Sequence, residues 1–247
     1  MATTITTHSE PVSARSDVAA LDFENGEVLL VDKPLDWTSF DVVHRVRDLF
    51  HVQKVGHAGT LDPKATGLLI LCTGKKTKSI EEYTGQEKEY EGTMQLGTTT
   101  ASFDSETPTT EAKGYLHITE DRVQEVFRSF MGKQLQVPPM FSAVKYGGKP
   151  LYKYARKGRT LERQSREIDI SRFELLSMAL PHLRFRIVCS KGTYIRTIVD
   201  DCGKVLGCGA YLTQLRRTRI GNMSVDDALQ LEDLHSLGQR FTSRIGV

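Results

Sequence analysis

The stretch Val55-Gly56-His57-Ala58-Gly59-Thr60-Leu61-Asp62-Pro63-Lys64-Ala65-Thr66-Gly67-Leu68-Leu69 decides how this chain is read. It sets one carboxylate, Asp62, in a glycine-flanked loop, with His57 five residues before it, and then runs into the apolar segment Leu68-Leu69-Ile70-Leu71. Glycine permits backbone geometry that other residues resist, and Pro63 fixes the turn directly after the acid. Asp62 is therefore presented from a stiff loop against a buried strand, which is how a reactive group is held. Taken alone, an Asp-Pro pair would only start a turn.

Outward from that loop the pattern is mixed α and β without repeats. Glu27 to Val31 reads as a strand, and Thr38 to His51 as a helix capped by Thr38 or Ser39 with Val43, Val46 and Phe50 inward. Leu68 to Leu71 is a buried strand, Lys75 to Tyr83 a short helix, and Tyr90 to Leu96 a strand leading into a Thr/Ser-rich loop from Gly97 to Thr110. Glu120 to Phe130 carries Val123, Val126, Phe127 and Phe130 on one helical face. Gln134 to Lys149, with paired prolines and glycines, reads as a long loop, and long loops in compact domains are usually functional. A helix near Leu151 to Arg156 follows, then strands near Ile168 to Leu176 and Leu183 to Cys189, a helix over Tyr194 to Leu206, a strand near Ala210 to Arg217, and a helix over Asp226 to Leu237.

At 247 residues the chain can bury a core without disulfide support. The four cysteines, Cys72, Cys189, Cys202 and Cys208, form no C-x-x-C pair and sit mostly in apolar segments, which predicts reduced, buried thiols, a cytoplasmic location and no metal site. No apolar run is long enough to span a bilayer. Residues 1–26 carry four acids against the single base Arg15 and have no apolar core, so neither a transit nor a signal peptide is expected; a disordered tail is.

A net charge of +2 hides an asymmetry. Arg128 to Arg172 holds eleven Lys or Arg against three acids, and Arg184 to Arg219 eight against two. Interleaved with Tyr146, Tyr152, Tyr154, Tyr194 and Tyr211, these patches suit RNA, since cations meet phosphate and flat rings meet splayed bases. Lys145, Lys149 and Lys153 are the expected backbone contacts, within an RNA-gripping insertion over about 128–160.

The Asp62 stretch resembles the catalytic loop of the TruB family of tRNA pseudouridine synthases, in which G-H-x-G-x-L-D-P-x-A-T-G-x-L carries the single essential Asp. Lys33-Pro34, Lys88-Glu89-Tyr90, the run from Gln136 to Lys145 (QVPPMFSAVK) and Ser190-Lys191-Gly192-Thr193-Tyr194-Ile195-Arg196-Thr197 resemble further blocks of that family in the same order, over roughly residues 27 to 220. The resemblance implies an α+β pseudouridine synthase fold over 27–247, with a mostly antiparallel central sheet, a catalytic cleft, flanking helices and the insertion. Many members add a C-terminal RNA-binding PUA domain; only 27 residues follow Ile220, so none is expected here.

The activity implied is conversion of uridine to pseudouridine in the T-loop of tRNA, at position 55 of the standard scheme, by a monomer acting without cofactor, guide RNA or membrane. The bond from ribose C1′ to N1 breaks and the uracil turns and rejoins through C5, with no oxidation and no net hydrolysis. One carboxylate suffices. It can add to C1′ or to uracil C6 or help expel the base, and the sequence leaves these open. The resemblance makes Asp62 that group, Arg196 the guanidinium that keeps it ionised, and Tyr90 the ring that stacks on the base and handles the C5 proton. By the same resemblance His57 lies beside the flipped nucleotide, Tyr194 and Leu215 line the uracil pocket, and Lys33 braces the loop or meets phosphate. A non-catalytic tRNA-binding or folding module using the same cleft is the other reading.

Overall fold

The computed structural model describes residues 10–13, 16–110 and 112–246. In chain order come β1 (Val28–Lys33), α1 (Ser39–Phe50), β2 (Val55–His57), β3 (Ala65–Thr73) and α2 (Ile80–Gly85). Then follow β4 (Lys88–Leu96), α3 (Glu120–Ser129), β5 (Gly132–Gln136), β6 (Lys145–Tyr146), β7 (Lys149–Pro150) and α4 (Tyr152–Ala155). The last elements are β8 (Arg166–Ala179), β9 (His182–Cys189), α5 (Ile195–Leu206), β10 (Ala210–Ile220), β11 (Met223–Ser224) and α6 (Leu231–Ile245). Two compact units result, residues 1–86 with 217–247, and residues 87–216. This is the mixed α and β content that the sequence pattern predicts and the mostly antiparallel α+β arrangement that the resemblance implies. Among the described residues no helix is long and apolar enough to cross a membrane.

The first unit is built on β1 and β3, which pair antiparallel from Val28↔Cys72 to Lys33↔Gly67. Side chains alternate across a pleat, so Leu29, Val31, Leu69 and Leu71 face one way and Val28, Leu30, Leu68, Ile70 and Cys72 the other. Both faces are covered, which explains a run of apolar residues with no polar partner face. On the first face lie Val42, Val43, Val46 and Phe50 of α1 with Leu234, Leu237 and Phe241 of α6; on the second lie Ala58, Tyr83, Ile220 and Val225. Helix α1 starts where the sequence says, with Thr38 and Asp41 exchanging side chain to backbone hydrogen bonds of 3.0 and 2.8 Å in a capping box.

Two expectations change here. The tail predicted over 1–26 is partly structured: Val12 bridges to Leu29, and Phe23 is buried, stacked on Phe50 at 4.1 Å. Apolar side chains that can close the end of a helix pair outweigh a polar composition; residues 1–9 and 14–15 lie outside the described residues. The helix expected from Asp226 begins only at Leu231, because Leu229 is held extended beside β1, donating to the Leu30 carbonyl at 2.8 Å and accepting from Asp32 at 2.9 Å.

The second unit orders its strands β4-β9-β8-β5, all antiparallel. Phe127 of α3 stacks on Phe173 of β8 at 3.8 Å and meets the edge of Phe185 of β9, which anchors the helix face read from its spacing. Helix α5 packs its buried face so close that a Cβ on Gly203 would lie 2.1 Å from the Ala210 nitrogen. The long loop predicted from Gln134 to Lys149 is shorter than expected, because β5 adds to the free edge of β8 and a small hairpin forms from β6 and β7. Gly147 and Gly148 turn that hairpin with φ of 55° and 80°, the left-handed pair that a two-residue turn needs.

Candidate active site

In the first unit β2 pairs with β3 through His57↔Leu71, and the chain between His57 and Ala65 forms the loop that carries Asp62. Its backbone is tied down almost residue by residue. The Ser39 hydroxyl accepts from the Leu61 N–H at 2.9 Å and donates to the Leu61 carbonyl at 3.2 Å. Asp62 offers its carbonyl to the Ala65 N–H at 3.0 Å, and the Pro63 carbonyl accepts from the Asp36 N–H at 2.9 Å. Lys33, fully buried, points its ammonium at the carbonyls of Trp37 (2.6 Å), Pro34 (2.8 Å) and Pro63 (3.4 Å). Arg217, also buried, donates through Nε to the Leu68 carbonyl at 2.7 Å and through Nη2 to the Gly59 carbonyl at 3.0 Å. The carboxylate itself is half-buried.

Lys33 thus has no exposed surface, and its ammonium is spent on carbonyls of the loop and its flank. Burial pulls its ammonium down to about 8, against the opposing pull of the Asp62 and Asp36 carboxylates. The folded protein then binds fewer protons than the unfolded chain between pH 8 and the ordinary lysine value of 10.5, so this group's contribution to stability rises with pH across that window and is lost as pH falls through 8. In urea titrations the wild type should gain on Lys33→Met by about 3 kcal/mol from pH 7.5 to 10.5. Parallel pH profiles for the two proteins would mean Lys33 titrates normally.

His57 is half-buried, and burial, followed by the charge of Arg217, holds its imidazole below the usual histidine value. Its Nδ1 is buried without a protein hydrogen-bond partner. A neutral ring with a free nitrogen at the start of the loop is suited to meeting a base.

The second unit places the other expected residues. Tyr90 is buried on β4 opposite Ile187 of β9. Tyr194 caps α5, its N–H donating to Gln136 Oε1 at 2.8 Å while Gln136 Nε2 donates back to its carbonyl at 3.1 Å, and the Arg166 guanidinium sits 4.5 Å over its ring. Arg196, 3% exposed, donates to the carbonyls of Ser102 (3.0 Å) and Phe141 (2.9 Å), with Nε 3.5 Å from Asp104. Asp104 is itself buried and accepts from the Ser102 hydroxyl at 2.6 Å and the Glu106 N–H at 2.9 Å. A guanidinium oriented by three fixed acceptors is pre-set to meet an anion in one geometry. Leu215 is half-buried on β10.

Lys145, Lys149 and Lys153 are exposed on or beside the β6-β7 hairpin, and Tyr154 bonds the Tyr146 carbonyl from the same module. Several cations of the second basic patch are engaged within the fold, although Lys191 is exposed. Arg196 and Arg217 are buried, Arg184 and Arg186 both pair with Glu91, and Lys204 pairs with Asp200 and Asp201. Tyr211 is buried too, its hydroxyl on Gln95. Counting charge along a sequence cannot see which cations are consumed by carboxylates in the next strand.

Ser39, Asp104, Gln136 and Arg217 were not singled out from sequence as site residues. Ser39 gave only a helix-cap signal, Asp104 lay in a Thr/Ser loop, and the one usable hint for Arg217 was a charge at an inward strand position. All four cysteines are free and buried, and among the described residues no three His, Cys, Asp or Glu gather as a metal site would require.

Residues 47–195 match the domain family described as TruB family pseudouridylate synthase (N terminal domain), and residues 196–243 match the tRNA pseudouridylate synthase B C-terminal domain. Among curated relatives, the tRNA pseudouridine synthase B of Chloroherpeton thalassium is 48% identical over 215 residues, covering 85% of this chain and 89% of that protein. That of Chlorobium luteolum is 50% identical, covering 91% of this chain and 78% of the relative. Among solved structures, a chain of a Cbf5-Nop10-Gar1 complex superposes with a TM-score of 0.72 at 28% identity, over 98% of this chain and 64% of that one. A chain of an H/ACA RNP bound to a substrate RNA containing 2′-deoxyuridine gives 0.67 at 26% identity, over 91% and 56%. This chain spans under two thirds of either solved chain. With the GHAGTLDPKATGLL loop braced as described and both domain families matched in order, the chain belongs to the TruB family of tRNA pseudouridine synthases.

Proposed function

We propose that this protein isomerises the T-loop uridine at position 55 of tRNA, with Asp62 as the reacting carboxylate and without a cofactor. The observation that carries the reading is the Asp62 loop, whose backbone is held by Ser39, Lys33, Asp36 and Arg217 while the carboxylate stays partly accessible. Catalysis that breaks and remakes a glycosidic bond without losing the base needs a fixed nucleophile and little water. In this reading Arg196 is the guanidinium that serves the reacting carboxylate, Tyr90 meets the target base and serves its C5 proton, and Tyr194 and Leu215 line the uracil site. His57 contacts the extruded nucleotide. A base inside a folded loop must be flipped out to be reached, at a cost of a few kcal/mol that stacking and pocket contacts return.

The test is incubation of the pure protein with an unmodified tRNA transcript, followed by chemical mapping of pseudouridine. One new pseudouridine in the T-loop is expected. Modification elsewhere would reassign the substrate position, and none at all would favour a tRNA-binding module.

The exposed hairpin sets the expected footprint. Replacing Lys145, Lys149 and Lys153 together by Ala should flatten the log-log dependence of tRNA affinity on salt by about 2–3 units, since each phosphate neutralised contributes roughly 0.7–0.9. The rate at saturation should change little, because such charges position rather than react. An unchanged slope places the RNA elsewhere.

A further inference from the structure

We propose that Arg217 is a positioning residue for the reaction, a clamp that holds the two limbs of the Asp62 loop at fixed separation. The proposal rests on Asp62 as the reacting group. Gly59 precedes Asp62 by three residues and Leu68 follows it by six, and one planar guanidinium bonds the carbonyls of both, at 3.0 and 2.7 Å. Ser39 and Lys33 hold the tip of the loop, at Leu61 and Pro63, whereas Arg217 ties its base together.

Three features mark this as more than filling. The residue is 1% exposed, and burying a guanidinium forfeits hydration that a leucine or methionine at the same place would not lose. The donors of a guanidinium have fixed angles, so spanning two carbonyls sets the distance between them; a lysine ammonium, free to rotate, sets none. A glycine opens the close approach at Gly67, while at Gly59 a Cβ would meet the guanidinium only at ordinary contact distance. Gly59 has φ +94° with its missing Cβ 3.6 Å from Arg217 Nη1, and Gly67 has φ +101° with its missing Cβ only 2.3 Å from the Arg217 carbonyl oxygen. The loop is thus seated on the Arg217 side chain at both limbs and on its backbone at Gly67. A displacement of about 1 Å in a reacting group can cost roughly 100-fold in rate, which is the scale that a lost clamp should produce.

Arg217→Met and Arg217→Lys should be compared with Leu234→Ala, a core truncation on α6 in the same unit. Single-turnover rates on saturating unmodified tRNA, tRNA affinity and thermal midpoints are measured for each, well below the lowest midpoint. Arg217→Met should lose about 100-fold in single-turnover rate with affinity within a few-fold, and Arg217→Lys should recover part of that loss. Leu234→Ala should lose stability and keep the rate. Should Arg217→Met not fold, a fall of at least about tenfold in Arg217→Lys sustains the proposal. A wild-type rate in either Arg217 variant, or an equal rate loss in Leu234→Ala, overturns it. Asp62→Asn separates the two levels: turnover in that variant sinks the reading of Asp62, whereas an inactive Asp62→Asn beside a fully active Arg217→Met sinks the clamp alone.

Discussion

Asp62→Asn is expected to abolish pseudouridine formation and leave tRNA affinity within a few-fold of wild type. The substitution preserves shape, and the loop backbone is held by groups that do not use the Asp62 side chain: Ser39 on Leu61, Lys33 on Pro63 and Arg217 on Gly59 and Leu68. The fold should therefore survive. Removing a negative charge where phosphates pass does not weaken binding of a polyanion. Chemistry is another matter, because losing a covalent or proton-transferring group raises the barrier by several kcal/mol and costs several powers of ten in rate. Single-turnover labelling of a tRNA transcript reads the outcome, and residual turnover above about one per cent would count against a nucleophilic role. The electrostatic consequence is separate: without the Asp62 charge, which favours the Lys33 ammonium, that buried lysine should titrate at lower pH still.

Gly67→Ala, at the start of β3 just after the loop, should be strongly destabilising. At φ +101° an alanine is strained by about 1–3 kcal/mol, and its Cβ would lie 2.3 Å from the Arg217 carbonyl oxygen and 2.7 Å from the Arg217 nitrogen. Both obstacles are backbone, so no rotamer change relieves them and the two chain segments must part. A total of about 3–5 kcal/mol follows, a large fraction of the ~5–15 kcal/mol that holds a typical fold together. The thermal midpoint should fall by about 10 °C. Gly85→Ala is the control: no atom lies within 4 Å of its missing Cβ, and its midpoint should stay near wild type. A Gly67→Ala protein melting beside that control would show that the segments have room to move.

Most of the elements were readable because each carries a local signal. Thr38 or Ser39 announces the start of α1, the spacing of Val123, Val126 and Phe127 announces α3, and the Leu68 to Leu71 run announces a buried strand. Where the reading failed, the deciding partner was remote in sequence. β5 is a strand because β8 offers an open edge, Leu229 is extended because β1 does, and Phe23 is ordered because Phe50 and Phe241 meet it. Arg184, Arg186 and Lys204 of the second basic patch have partners that charge counting could not show, since Glu91, Asp200 and Asp201 pair with them across strands and helix turns.

The candidate site divides along the same line. By itself the sequence determined which groups are present: an acid between glycines and before a proline, a tyrosine and an arginine in blocks of recognisable order, and a basic segment with paired glycines. These follow from residue type and spacing, because backbone freedom, fixed proline geometry and side-chain chemistry are properties of single residues and near neighbours. Only the tertiary structure decided what holds the acid still. Ser39 reaches Leu61 across 22 positions, Lys33 reaches Pro63 across 30, and Arg217 reaches Gly59 across 158. Contacts of that separation form only when strands and helices have packed, and their energy comes from burying charge and amide groups together, which no local pattern encodes.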